Sequence, residues 1–152
     1  MTTIDDFNII GISVRTTNRD GQASQDIGKL WGRFYAENLF ERIPDRLSDD
    51  IYSIYTDYKS DYQEDYTVII GLKVASLEVI PDGLTGRHFS SETFTKFVAK
   101  GQMPGAVIDI WSMIWSRDGE LKRKYSYDFE VYGDKSQKGA DSEVSIYVAT
   151  RP

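Results

Sequence analysis

The run Ile27-Gly-Lys-Leu-Trp-Gly-Arg-Phe-Tyr35 returns, 80 residues on, as Val107-Ile-Asp-Ile-Trp-Ser-Met-Ile-Trp115. In both runs the apolar residues fall at i, i+3, i+4, i+7 and i+8, the spacing of one face of an α-helix. Ile27 lands on Val107, Leu30 on Ile110, Trp31 on Trp111, Phe34 on Ile114 and Tyr35 on Trp115. The flanking segments are alike too. Asn8–Thr16 and Thr93–Lys100 precede the two helices and read as strands from their β-branched content. Ile51–Tyr58 with Tyr66–Val74 follows the first helix, and Tyr125–Tyr132 with Glu143–Thr150 follows the second. The order β-α-β-β is therefore written twice, over about residues 5–76 and 77–150, within one domain spanning 1–152. After the helices the match continues at a shift of 74, with Tyr55 on Phe129, Thr56 on Glu130 and Tyr58 on Tyr132. The slip falls in the helix-to-strand connection, where changes of length cost little.

Local signals mark the boundaries. Ser24 suits a helix N-cap, and the first helix is expected to run to about Arg42, ahead of Pro44. Pro104 suits the first turn of the second helix, and Gly119 its C-terminal stop. Pro81-Asp-Gly is a break, and the polar loop 133–142 is expected to be mobile. The fold expected is α+β: two units related by a pseudo-twofold, an antiparallel sheet, and two main helices flanking a central groove. Trp31, Tyr35, Trp111 and Trp115 occupy equivalent helix edges beside that groove, a common place for a ligand.

Composition narrows the chemistry. The 152 residues are 40% hydrophobic and 28% charged, an ordinary globular balance. There is no cysteine and a single histidine, His88, which removes thiolate metal sites and thiol catalysis and weakens any zinc or Ser-His-Asp reading. No metal or cofactor is expected. The net charge of −6 argues against nucleic acid as a direct partner and favours cations. No apolar run is long enough to cross a membrane. Met1-Thr-Thr-Ile-Asp-Asp lacks the basic and apolar regions of a secretion signal, so a cytoplasmic location is the expectation. Aromatic residues make up 13% of the chain. Acidic and aromatic together describe a site for lipophilic cations as well as a ring-rich core.

The doubled order, with Lys29-Leu-Trp-Gly-Arg-Phe-Tyr35, Ile54-Tyr-Thr-Asp-Tyr58, Val107–Trp115 and Tyr127-Asp-Phe-Glu-Val-Tyr132, resembles the GyrI-like small-molecule-binding family. That family includes the effector-binding domains of AraC-type and multidrug-sensing regulators. The likeness spans about residues 5 to 150 and is greatest to stand-alone members such as integron-cassette drug-binding proteins. It implies an SHS2-type pair of repeats and a groove that takes amphipathic, often cationic, organic molecules. It also implies that the acidic residue of the Phe-Glu-Val-Tyr strand, here Glu130, answers the ligand's charge, and that Tyr147 on the last strand lies near it. No helix-turn-helix accompanies the domain, so any link to transcription regulation is expected to run through a separate regulator. Two alternatives stay open: a hydrolase of electrophilic small molecules using the same groove, and a protein-interaction module such as an inhibitor of DNA gyrase.

Read from the residues alone, Glu130 sits mid-strand between Phe129 and Val131, so alternation turns it to the face opposite both. The plain reading is a solvated carboxylate; the resemblance makes it a buried one. Trp31 and Trp111 lie within the apolar stripes, while Tyr35 and Trp115 lie at their edge. Tyr147 is expected to complete the groove. Alternation sends Tyr55 and Tyr58 to opposite faces, so at most one is expected in the groove. Asp57, Asp61, Glu64 and Asp65 read as a solvated hairpin tip, Lys122-Arg-Lys124 as a surface loop, and His88 as a surface or strand-start residue.

Overall fold

A computed structural model describes residues 1–152. The chain runs β1 (Thr2–Ile4), β2 (Phe7–Thr16), α1 (Gln22–Ala36), α2 (Leu39–Arg42), β3 (Arg46–Thr56) and β4 (Tyr66–Val74). It continues with β5 (Thr85–Phe89), β6 (Glu92–Lys100), α3 (Gly105–Ser116), α4 (Asp118–Leu121), β7 (Tyr127–Tyr132) and β8 (Glu143–Ala149). All eight strands form one antiparallel sheet in the order β1-β6-β8-β7-β3-β4-β2-β5. That order reads the same from either end once β1–β4 and β5–β8 are taken as equivalent, so the α+β double repeat holds. The two units meet at β3 and β7. Each also lends its leading strand to the other: β1 pairs with β6, and β5 with β2. Both outer edges of the double repeat are thereby covered.

The sheet must curl. β5 and β6 lie toward opposite ends of the strand order, yet only Ser90 and Ser91 separate them in sequence. Three residue steps reach at most about 11 Å. Gly11 and Gly71 face each other between β2 and β4, where a Cβ on Gly11 would lie 2.1 Å from the Ile70 carbonyl oxygen. The glycines allow the strands to press together at a bend. Inside the curl Phe7, Phe89, Phe94, Tyr127 and Phe129 pack with Ile9, Ile54 and Ile69. Tyr127 donates its hydroxyl to the Ser90 carbonyl at 2.6 Å and ties the β5–β6 turn to β7.

The outer face carries the helices. Leu30 and Phe34 of α1 pack on Ile10, Ile12, Val68 and Ile70. Val107 and Ile114 of α3 pack on Ala99, Val144, Ile146 and Val148. Each helix thus covers the distal strands of its own unit and leaves the central pair β3·β7 as the floor of a gap between them.

Several boundaries differ from the expectation. Ser24 lies inside α1, whose N-cap is Gly21 in the left-handed region. The first helix breaks at Asn38, also left-handed, before the short α2. Gly119 does not stop α3, which ends at Ser116; it lies within α4. β1 and β5 were not anticipated. The 133–142 loop is not shapeless: it holds two 3-10 turns, and the Ser142 side chain is buried. The strand equivalence at a shift of 74 fails by three residues, an odd slip, whereas a shift of 77 keeps the faces. Tyr55 faces the helices whereas Phe129 points into the curl. The alignment that preserves faces puts Ser53 on Glu130 and Tyr55 on Tyr132, because an odd slip exchanges the two faces of a strand.

The Lys122-Arg-Lys124 run is also not a plain surface loop, for the Arg123 side chain is 1% exposed. Its Nη2 donates to Asp128 Oδ2 at 2.8 Å and its Nη1 to Asp118 Oδ1 at 3.3 Å. Asp128 also accepts the Tyr58 hydroxyl at 2.5 Å and the Ala149 backbone N–H at 2.8 Å. This carboxylate therefore pins β7 to β8 and to the chain beyond β3. Asp128→Asn leaves the buried guanidinium with only the longer contact to Asp118 as counter-charge and is expected to cost about 3 kcal/mol of folding stability. Glu37→Gln, which breaks an exposed pair with Arg33, is expected to cost at most about 1 kcal/mol. Urea unfolding of the two variants measures both.

The cleft between the helices as candidate functional site

The gap over β3·β7 is a cleft of about 590 Å³. Ser24, Ile27, Gly28 and Trp31 of α1 form one wall, and Val107, Ile108, Trp111 and Trp115 of α3 the other. Tyr55, Tyr66, Glu130 and Tyr132 rise from the sheet as its floor, and Tyr58, Tyr62 and Arg123 line it as well. Each tryptophan leans on a tyrosine. Trp31 meets Tyr132 edge-on at 4.9 Å, Trp111 meets Tyr55 edge-on at 5.3 Å, and Trp115 stacks on Tyr62 at 5.7 Å. Such pairs hold the rings in fixed orientation.

Glu130 is 1% exposed. Its Oε2 accepts the Tyr55 hydroxyl at 2.8 Å and the Trp111 indole N–H at 2.6 Å; its Oε1 accepts the Tyr132 hydroxyl at 2.6 Å. All three donors are neutral, and no Lys, Arg or His forms an ion pair with it. Burial pushes its carboxyl above the ordinary range, against the three hydrogen bonds, which hold it down. Burial and the neighbouring carboxylate in turn drive the Tyr55 and Tyr132 hydroxyls well up, so both stay protonated donors. The floor thus presents a buried carboxyl group wrapped in aromatic rings. Asp128, two residues earlier on the same face, differs in having Arg123 as its counter-charge.

Of the six residues anticipated, Glu130, Trp31, Trp111 and Trp115 come together here. Tyr35 and Tyr147 do not. Tyr35 lines a second, neighbouring hollow with Phe40, Asp50 and Asp134, which shares Trp31 and Tyr132 with the cleft. Tyr147 lies on the wrong face: it is the direct cross-strand partner of Phe129 and stacks on that ring at 4.8 Å, inside the curl. Directly opposed residues of an antiparallel pair share a face, and Phe129 is one step from Glu130. Tyr55 and Tyr58 both line the cleft, against the alternation argument, because Asp57 between them takes a positive φ of 51° and ends the strand pattern. Tyr62, Tyr66, Tyr132 and Arg123 were missed. Tyr132 had a signal, since it is two residues from Glu130 and so on its face.

His88 is an exposed residue of β5, with its Nδ1 2.7 Å from Asn8 Oδ1. Asp57 is bound by Arg87 at 2.6 and 2.8 Å. No group of three or more His, Asp or Glu side chains is close enough to hold a metal ion.

Comparison with known proteins places this architecture. An integron cassette protein, VCH_CASS2, from the mobile metagenome of Vibrio cholerae is 32% identical, with a TM-score of 0.76 over 99% of this chain and 94% of its own. The structure of SAV2435 bound to tetraphenylphosphonium is 19% identical with a TM-score of 0.78 over 99% and 92% of the two chains, a likeness of fold. YobU of Bacillus subtilis strain 168, whose name proposes a role in transcription regulation, is 23% identical over 99% of this chain and 96% of its own. The model of the Cass2 family, integron-associated effector binding proteins, matches residues 1–150, and the chain belongs to that family.

Proposed function

We propose that this effector-binding chain takes lipophilic organic cations into the cleft between α1 and α3. The observation that carries the reading is Glu130, a carboxylate 1% exposed that has three neutral hydrogen-bond donors and no cationic partner. A charge held in such a place gains strongly from a cation brought in with its solvent already shed. Trp31, Trp111, Trp115 and the floor tyrosines supply ring faces, each worth about 0.5–2 kcal/mol toward a cation according to how fully the contact is desolvated. The −6 net charge draws cations toward the molecule. The tetraphenylphosphonium on SAV2435, a protein of the same fold, supports the same ligand class. The role proposed is that of a cytoplasmic sensing module whose occupied state is read by a separate regulator. The regulator-like name of YobU supports a link to transcription regulation.

Glu130→Gln keeps the shape and removes the charge. It is expected to weaken tetraphenylphosphonium by at least about tenfold, roughly 1.4 kcal/mol, and to leave the neutral isostere tetraphenylmethane, added from a cosolvent stock, little changed. Isothermal titration of both proteins measures this, and equal cation affinity in the two would return Glu130 to a purely structural role.

The pH dependence follows from the upward shift of the Glu130 carboxyl. Its raised folded value means that the empty protein holds the proton more tightly than an ordinary carboxylate does. The group's contribution to the stability of the empty fold is therefore full below the ordinary range and lost as pH rises through the raised value. A bound cation favours the ionised form. Affinity is thus expected to rise with pH through that value and level off above it, with proton uptake by buffer near the midpoint. In Glu130→Gln the profile is expected to be flat over the same span.

Gly28 opens on the cleft in the middle of α1, and a Cβ there would meet nothing within 4 Å. Gly28→Ala is expected to stabilise the protein by up to about 1 kcal/mol through helix propensity. Gly28→Trp is expected to fill the cleft and reduce tetraphenylphosphonium affinity at least tenfold without lowering the melting temperature. Thermal unfolding and titration of the two variants separate the effects.

A further inference from the structure

Glu130 offers the cleft its charge but few free lone pairs. A carboxylate has about four acceptor positions. Three are filled: two on Oε2 by Tyr55 and Trp111, and one on Oε1 by Tyr132. The residue lines the cleft but is only 1% exposed, so the phenol and indole groups bonded to it cover most of its surface. Asp128, the other buried carboxylate on this face, is engaged by Arg123, Tyr58 and the Ala149 N–H. The Asn18 carboxamide oxygen at the cleft end is engaged by the Tyr66 hydroxyl at 2.5 Å. A protonated amine brought to this floor loses water from its N–H groups and finds the strong carboxylate and carboxamide acceptors mostly engaged, with neutral hydroxyl oxygens as the main replacement, and a poorly met buried donor is costly. A quaternary ammonium, phosphonium or N-alkylpyridinium has no N–H to satisfy, and its charge acts on Glu130 through the rings.

We infer that the site selects permanently charged cations without N–H donors over protonated amines of the same shape, and that Tyr132 and Tyr55 set this selectivity by occupying the carboxylate. The inference rests on the cation-binding reading above and sharpens it. It makes the two tyrosines specificity-determining residues rather than passive walls, and it gives the pseudo-equivalent pair a shared task.

The test uses (4-phenylbenzyl)trimethylammonium and (4-phenylbenzyl)ammonium at pH 7.5, titrated calorimetrically into wild type, Tyr132→Phe and Tyr55→Phe, with tetraphenylphosphonium as the reference. In wild type the quaternary probe is expected to bind at least tenfold tighter. Tyr132→Phe frees an acceptor position on Oε1, and Tyr55→Phe one on Oε2. In either variant the ratio is expected to fall below about threefold, mainly through tighter binding of the primary amine. Two phenylalanine variants are used so that misfolding of one leaves the comparison intact. A wild-type ratio near one, a preference for the amine, or no binding of either probe overturns the inference. So does a tenfold ratio that both folded variants retain, since the occupied lone pairs would then not be its cause. Tetraphenylphosphonium separates the two levels: if it binds wild type and loses affinity in Glu130→Gln, cation binding stands whatever the probe ratio. If it does not bind at all, the cation reading itself falls.

Discussion

The antiparallel pairing of β3 with β7 over six residue pairs is the constraint on which the molecule depends. It is the seam between the two repeats and makes them one sheet. It is also the strip that neither helix covers, so the cleft exists because the helices keep to their own strands. The register of that seam sets Ser53 opposite Glu130 and places Tyr55 diagonally across from it. Diagonal neighbours on one face are within reach of an aromatic side chain. Tyr55 and Tyr132, equivalent in the two repeats, thus approach one carboxylate from either side. A carboxylate in place of Ser53 would set two like charges together and suppress the ionisation of both. One repeat carries the charge and both supply its donors.

Two buried carboxylates two residues apart on β7 are put to opposite uses. Asp128 is neutralised by Arg123 and bonded to the backbone of β8, so its charge is spent inside the fold. Glu130 is surrounded by groups that stabilise a negative charge without cancelling it. The difference arises from Arg123, which reaches Asp128 from the short segment between α4 and β7.

The parts of this arrangement carried by period were legible in the sequence. The 3.6-residue stripe of Ile27–Tyr35 and Val107–Trp115, and the β-branched runs around them, gave the helices, six of the strands and the repeat. The parts carried by register and pairing were not. β1 is three residues long, and Thr85-Gly-Arg-His-Phe89 has no apolar alternation, because both are edge strands held mainly by backbone bonds. Tyr147 was misplaced because its face depends on which residue of β7 it opposes, and only the register says that this is Phe129. Tyr58 was misjudged because one left-handed residue, Asp57, resets the alternation. Arg123 looked like one of three solvated bases because its buried partner lies in a strand that begins four residues later.

All three tryptophans of the chain line the cleft, each against a different tyrosine, and none lies in the curl on the other side of the sheet. The aromatic core that holds the sheet together is made of Phe and Tyr alone. The tryptophan emission of this protein is therefore confined to one place. Trp111 is the tryptophan whose N–H is bonded to Glu130, which ties one of the three emitters directly to the buried carboxyl. Excited at wavelengths that tyrosine does not absorb, the purified protein holds its own optical probe of the cleft and needs no label for occupancy to be read.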